Sequence, residues 1–408
     1  METTPETGGP LSGLRVLELA AIGPAPFACM LLADLGADVV RVDRPDTARA
    51  FGAWHRVLDR GRRSVALDLK NPAAVDAVLR LVEGADVLVE GHRPGVAERL
   101  GVGPAACLAR NPRLVYGRMT GWGQDGPLAK EPGHDINYLA LTGALDAIGR
   151  PGGPPAVPLN LLGDFAGGGL PLAFGILAAL QERGRSGRGQ VVDTAIVDGT
   201  AALLAMLAGM TAAGAWEPER GTNVLDGGAP FYDVYACADG RYVAVGALED
   251  RFYAALLDGL DLHPDEVPDR AVRASWPRLR ERFAARFATR TRDAWEAVFA
   301  GTEACVTPVL TLREAERHPH HRARGVHVGA DGVVQPAPVP RFRRTPAPPV
   351  REPAPAVGAH TREVLAEVGL TEDDLKPVPS PPSDSPTPGT HSRRTPAVPR
   401  TAPAPART

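Results

Sequence analysis

The chain has 408 residues, 44% of them hydrophobic and 23% charged, with a formal net charge of −3. This is globular composition, long enough for two cores. The near-neutral balance excludes the strongly basic field suited to nucleic acid or an anionic membrane surface, so an anionic ligand must be held by local basic residues. Cys29, Cys107, Cys237 and Cys305 fit no CxxC spacing and read as small buried apolar residues of a reducing compartment. Residues 1–9 lack the basic and apolar regions of a signal peptide, and Pro405-Ala406-Arg407-Thr408 is not a peroxisomal address. No apolar run reaches the ~20 residues of a bilayer span, the longest being residues 170–180 and 201–209. The expectation is a cytoplasmic protein with no nucleic-acid or membrane partner.

The first third alternates strand and helix patterns. A β-type run at 14–19 is punctuated by Gly23-Pro24-Ala25-Pro26, and 27–35 has helical periodicity closed by Gly36. Further strands are predicted at 37–43, 64–69, 85–90 and 113–119. A helix is predicted at 73–82, opened by Asn71 as N-cap and Pro72 at the first helical position. This alternation predicts a mostly parallel, Rossmann-like doubly wound sheet whose ligands lie beyond the carboxyl ends of the strands. No G-x-G-x-x-G follows the first strand and no Walker A motif occurs, so no dinucleotide cofactor is expected.

After a strand ending at 193, residues 194–211 read as one long apolar helix, too hydrophobic to face water alone, that crosses between domains or subunits. From about 227 the pattern changes to short strands (231–237, 242–245) and helices (251–260, 276–288, 291–299). The α/β organisation predicted is a large domain at 10–200, a linker helix at 201–226 and a smaller α+β domain at 227–325. The chain then returns to the large domain at 326–372, with a final helix at 360–368. The Pro-rich tail at 373–408 cannot bury enough apolar area to order itself.

Titratable residues stand among glycines or at element ends in four places. In Gly133-His134-Asp135-Ile136-Asn137-Tyr138 a helix begins, and free N–H groups at such a start can hold a thioester oxygen or enolate. The plainer alternative is that His134 and Asp135 only cap the helix. Asp164 lies among apolar and glycine residues, where burial raises a carboxylate pKa toward a proton-transfer role; the alternative is an N-cap for the Gly-rich helix. Glu249 follows a strand and precedes a helix, and serves either as a site acid or as a capping one. Arg44, Arg60, Arg62, Arg63, Lys70, Arg93 and Arg99 lie at strand ends and loops, where cations serve phosphates or form ordinary surface charge.

Taken together, the chain from about residue 11 to 370 resembles the α-methylacyl-CoA racemases of the class III CoA-transferase (CaiB/BaiF) superfamily. The resemblance rests on LSGLRVLELA (11–20), LGADVVRVDRP (35–45), GHDINYLALTG (133–143), PLNLLGDFAGGG (158–169), LDGGAPFYDVY (225–235), VAVGALE (243–249) and ACVTPVL (304–310). It implies that His134 and Asp164 are acid/base residues on opposite faces of a substrate α-carbon. It also implies an interlocked homodimer, with Glu249 pairing with His134 from the small domain of the partner subunit. CoA contacts are implied at Arg44, Lys70, Arg93 and Arg99, and pantetheine or thioester contacts at Gly133 and Tyr138. Relatives have proline where this chain has Asp250, and the Pro-rich tail lies outside the resemblance.

The implied reaction interconverts (2R)- and (2S)-2-methylacyl-CoA within fatty-acid metabolism, and its chemistry suits the residue types. Inverting a carbon needs one group to remove the α-proton and another to deliver one from the opposite face, each positioned group contributing roughly 10²–10⁴ in rate. The Asp135 N–H is the expected donor to the enolate oxygen. No metal or redox cofactor is needed, CoA being part of the substrate. The alternative is a class III CoA-transferase with Asp164 as nucleophile. Methyl-branched fatty, bile-acid-type and arylpropionyl thioesters all fit these residues.

Overall fold

The computed structural model describes residues 8–45, 52–330, 332–350 and 354–376. Most of the expected tail, from 377, lies outside the described residues. Glu372–Leu375 nevertheless form a 3-10 turn, and Asn71 donates to the Leu375 carbonyl at 2.6 Å, so the order extends past the expected boundary at 373.

Six strands form the main sheet: β1 (Arg15–Leu19), β2 (Asp38–Asp43), β3 (Arg62–Ala66), β4 (Val87–Glu90), β5 (Val115–Thr120) and β6 (Gln190–Ala195). Their order is β3-β2-β1-β4-β5-β6 and every neighbouring pair is parallel. Alternate residues feed two cores, as a period of two requires. Val16, Val39, Val87 and Val89 pack against α1 (Pro24–Asp34), while Leu17, Val40 and Leu88 pack against α2 (Pro72–Glu83) on the other face. Asn71 caps α2 as its sequence requires, accepting from the Ala73 N–H at 3.0 Å. Helix α1 begins earlier than its periodicity suggests, because Pro24 already has the backbone angle of a first helical turn and Gly23 supplies φ +70° before it.

The chain passes outward from β1 to β3, then crosses back to β4, so β1 and β4 flank the point where strand order reverses. Beyond β4 lie α3 (Val96–Arg99) and α4 (Pro104–Arg110), and beyond β5 lies α5 (Asp135–Thr142). A continuous helical run, Leu159–Ser186, then passes from a 3-10 turn through a π-helix (Leu162–Gly169) into α6 (Leu170–Ser186). Contrary to the expectation of shorter apolar runs, this one is long and apolar enough by composition to cross a bilayer. Here its Leu172, Ala173, Ile176 and Ala179 are buried in the core shared with α1 and the sheet.

The single helix expected at 194–211 is two: α7 (Ile196–Leu203) and α8 (Ala205–Ala212), separated where Leu204 leaves helical geometry. No proline or glycine marks that break. Helix α7 buries Ile196 and Thr200 against the large domain, whereas α8 has no buried residue. The linker expected at 201–226 is therefore only partly helical.

The smaller α+β unit has an antiparallel sheet of β7 (Tyr232–Ala236), β8 (Tyr242–Gly246) and β9 (Val306–Pro308). It is covered by α9 (Asp250–Gly259), α10 (Trp276–Phe287) and α11 (Arg292–Phe299) around Tyr235, Phe283, Phe287, Trp295 and Phe299. After α12 (Leu312–Arg317) and α13 (Pro319–Arg324), the hairpin β10 (His327–Ala330) and β11 (Val333–Pro336) docks on the large domain, where buried Gln335 accepts from Arg60 at 2.9 Å. Helix α14 (Thr361–Ala366) closes the edge of β3: Ser64 N–H donates to His360 Nδ1 at 3.1 Å and Ala66 N–H to Thr361 Oγ1 at 3.0 Å.

Candidate active site

Asp164 sits in the first turn of the π-helix rather than capping a helix. Glycines let this helix press against its neighbours. A Cβ on Gly169 would stand 2.8 Å from the Pro24 carbonyl oxygen of α1, and one on Gly199 of α7 would stand 1.8 Å from the Gly167 carbonyl oxygen. At both positions the absence of a side chain lets another stretch of backbone come close. Gly23, which follows β1, comes so near that its Cβ would lie 3.2 Å from Asp164 Oδ2. Asp164 is therefore held over the carboxyl end of β1, at the reversal point where open α/β sheets bind ligands. Short π-helical turns recur at functional sites.

The Asp164 carboxyl is half-buried, and burial pushes its pKa above the ordinary aspartate value. Asn160 Nδ2, 3.3 Å from Oδ2, works against that rise; the Asp135 charge adds to it and a charged His134 opposes it. His134 is the N-cap of α5, exposed, with its own N–H donating to Asn137 Oδ1 at 3.0 Å. The Asp135 N–H is the first of the helix and has no acceptor within it. The Asp135 side chain does not cap α5. It crosses to the π-helix and accepts the Asp164 N–H at 2.7 Å.

Tyr138, one turn along α5, is buried edge-on against Trp122, ring centroids 4.6 Å apart. Its ring lies close against two glycines: a Cβ on Gly121 would be 2.0 Å from it and one on Gly133 2.8 Å. Gly133 thus has a packing reason to be glycine. Burial raises the Tyr138 pKa, as does nearby Asp164, while Arg93 lowers it. His134, Asp135, Tyr138, Asp164 and Arg93 therefore surround one location.

The basic residues divide. Arg44 follows β2, Lys70 follows β3, and Arg93 and Arg99 follow β4; all four are exposed beyond the carboxyl ends of the strands. Arg60, Arg62 and Arg63 are committed to the fold. Arg62 Nε pairs with Glu18 at 2.9 Å and Arg60 Nε with Asp34 at 2.9 Å, both buried; Arg63 bridges Asp38, Glu363 and Glu367. Burying a guanidinium without its carboxylate is costly, which explains why these pairs are complete.

Glu249 is exposed at the N-cap of α9 in the small domain. Among the described residues, no hydrogen bond or ion pair joins it to His134 or Asp164. Asp250, at the first position of α9, pairs with Arg270, and an acid there suits the helix dipole. Of the cysteines, Cys29, Cys107 and Cys237 are buried as expected, but Cys305 is exposed and at φ +52°. A cavity of about 720 Å³ lined by Arg15, Asp76, Arg80 and Arg110 lies toward the amino ends of the strands, away from Asp164. Among the described residues no cluster of three or more His, Cys, Asp or Glu could hold a metal ion.

Three contributors went unrecognised in the sequence. Asn160 could have been found, since it lies one helical turn before Asp164. Gly23 and Trp122 carry no local signal, because only the sheet order brings them to the site.

A parallel sheet with this strand order, an acid held at its reversal point and an antiparallel second unit together define one class. The chain belongs to CoA-transferase family III, whose family model matches residues 11–361. It is 50% identical over 368 residues to the α-methylacyl-CoA racemase of Mus musculus, covering 90% of this chain and 95% of that one. It is 47% identical over 366 residues to the α-methylacyl-CoA racemase of Homo sapiens, with the same coverage of 90% and 95%. The crystal structure of a CaiB/BaiF family protein from Brucella suis superposes with a TM-score of 0.79 at 27% identity, covering 88% of this chain and 100% of that one.

Proposed function

We propose that this protein is an isomerase that interconverts (2R)- and (2S)-2-methylacyl-CoA thioesters by 1,1-proton transfer through an enolate. The observation that carries the reading is the placement of Asp164, half-buried with a raised pKa, beside the His134 helix start at the reversal point of the sheet. In the (S)→(R) direction His134 removes the α-proton and Asp164, whose neutral form burial favours, delivers one to the other face. In reverse the same raised pKa makes Asp164 the stronger base. The Asp135 N–H donates to the enolate oxygen. Gly133 and Tyr138 border the pantetheine and thioester, and Arg44, Lys70, Arg93 and Arg99 meet the CoA phosphates. CoA enters as part of the substrate and no further cofactor is required.

A homodimer completes the site: Glu249 of a second copy orients His134. Support comes from the exposed large apolar residues Leu141 of α5, Phe174 of α6, Leu203 of α7 and Met206 of α8, each 48–75% exposed. Exposed apolar patches mark protein contacts. The unpaired cysteines suit a reducing, cytoplasmic setting, and branched acyl-CoA substrates place the reaction in fatty-acid metabolism.

The test is deuterium uptake at the α-position of 2-methylacyl-CoA esters in D₂O with no acceptor acid present. Exchange with loss of optical purity is expected. His134→Ala and Asp164→Ala are each expected to lower it at least about 10²-fold with CoA binding retained. A second reading, CoA transfer with Asp164 as nucleophile, follows from the family and predicts instead an acyl-enzyme on Asp164 that hydroxylamine traps.

A further inference from the structure

We propose that Asp135 is a positioning residue: its side chain sets the spacing between His134 and Asp164 by tying the start of α5 to the backbone of the π-helix. This rests on the racemase reading above and adds a role that the Asp135 N–H does not cover.

The geometry is specific. Asp135 follows His134 directly, and its Oδ1 accepts the Asp164 N–H at 2.7 Å, with the Gly163 N–H a second backbone donor to the same carboxylate. One carboxylate thus joins the two segments that carry the proposed acid and base, Asp135 and Asp164 being 29 positions apart in the chain. Those N–H groups belong to the opening turn of the π-helix, where no helical acceptor is available. Gly163 makes room for the contact: a Cβ there would stand 2.3 Å from Asp135 Oδ1 and 2.9 Å from its Cγ. Any other residue at 163 would push the carboxylate away.

The contact also has an electrical consequence. The ionisable groups facing Asp164 are His134 at the cap of α5 and Asp135 and Tyr138 within it; from the β1–α1 turn the uncharged Gly23 approaches. The Asp135 charge disfavours a second negative charge on Asp164. Asp135 therefore fixes where the acid is and pushes its pKa upward.

The experiment uses the full chain and measures α-proton exchange from each enantiomer separately. Asp135→Ala is expected to lower kcat about 10–100-fold in both directions, as a displacement of the order of 1 Å does, while KM moves less than about threefold. Asp135→Asn keeps an acceptor for the Asp164 N–H and is expected to recover most of kcat. With the charge gone, the limb of the pH profile that belongs to Asp164 moves to lower pH. Gly163→Ala displaces the carboxylate without removing it and is expected to lower kcat similarly. Adding it to Asp135→Ala costs little more, because the two act on one contact. Thermal unfolding and CoA binding of each variant report on folding separately. Equal losses in Asp135→Ala and Asp135→Asn with no pH shift, or fully additive effects of the two alanines, overturn the proposal. If wild type does not exchange, or tolerates His134→Ala and Asp164→Ala, the racemase reading fails instead.

Discussion

Asp164 has two opposed influences on its charge, and they separate cleanly by substitution. Asn160 donates to the carboxylate and so favours its ionised form. Asn160→Ala removes that donor, and the Asp164 pKa rises further. In the (R)→(S) direction, where Asp164 acts as base, the acid limb of the kcat profile is expected to move to higher pH. In the (S)→(R) direction the protonated acid persists to higher pH, so the alkaline limb moves the same way. A pH–rate series from each enantiomer checks this, and a shift downward contradicts the assignment. At this scale the sequence singled out His134 and Asp164 by residue type and setting, and the structure brings the two segments together, whereas Asn160 in the same string as Asp164 was passed over. It was not informative about charges, because an arginine at a strand end looks alike whether it is exposed, like Arg93, or buried against a carboxylate, like Arg62 against Glu18.

The elements that position the site are built on backbone contact. Gly199 of α7 meets the Gly167 carbonyl with no space for a methyl group, its Cβ falling 1.8 Å from the oxygen. Gly199→Ala is expected to destabilise the fold by about 1–3 kcal/mol, the usual effect of overpacking, and to lower kcat because the Asp164 helix must move. Urea unfolding and exchange assays measure the two effects; wild-type stability refutes the packing argument. The parallel strands and α2 were legible, since apolar alternation and the Asn71-Pro72 pair are local signals. The break between α7 and α8 was not. Both halves are apolar, and only tertiary support, present for Ile196 and Thr200 and missing along α8, distinguishes them.

The unsupported apolar surface bears on the whole molecule. Phe174, 75% exposed, and Met206, 56% exposed, are out of place on an isolated chain. On the proposal that two copies meet here and that Glu249 of one completes the site of the other, Phe174→Asp with Met206→Asp is expected to give a monomer by light scattering and to remove exchange activity. A stable dimer in that variant would place the interface elsewhere. Length and composition pointed to more than one core, and the apolarity of 194–211 pointed to a covering surface without saying whether another domain or a second copy supplies it.

The closure of β3 by α14 has a consequence for what this chain avoids. A terminal strand with free amides is a template onto which another molecule's strand can add, the route to fibrous assemblies. Here the His360 ring and the Thr361 hydroxyl occupy the amides of Ser64 and Ala66, while Val364 and Leu365 hold the helix in place. Replacing His360 by Ala and Thr361 by Val leaves those anchors intact and frees both amides. Slow, concentration-dependent polymer growth with a rising cross-β signal is expected, and a variant that stays clear and dispersed contradicts it. The last described helix thus acts as a stopper, keeping the sheet at six strands.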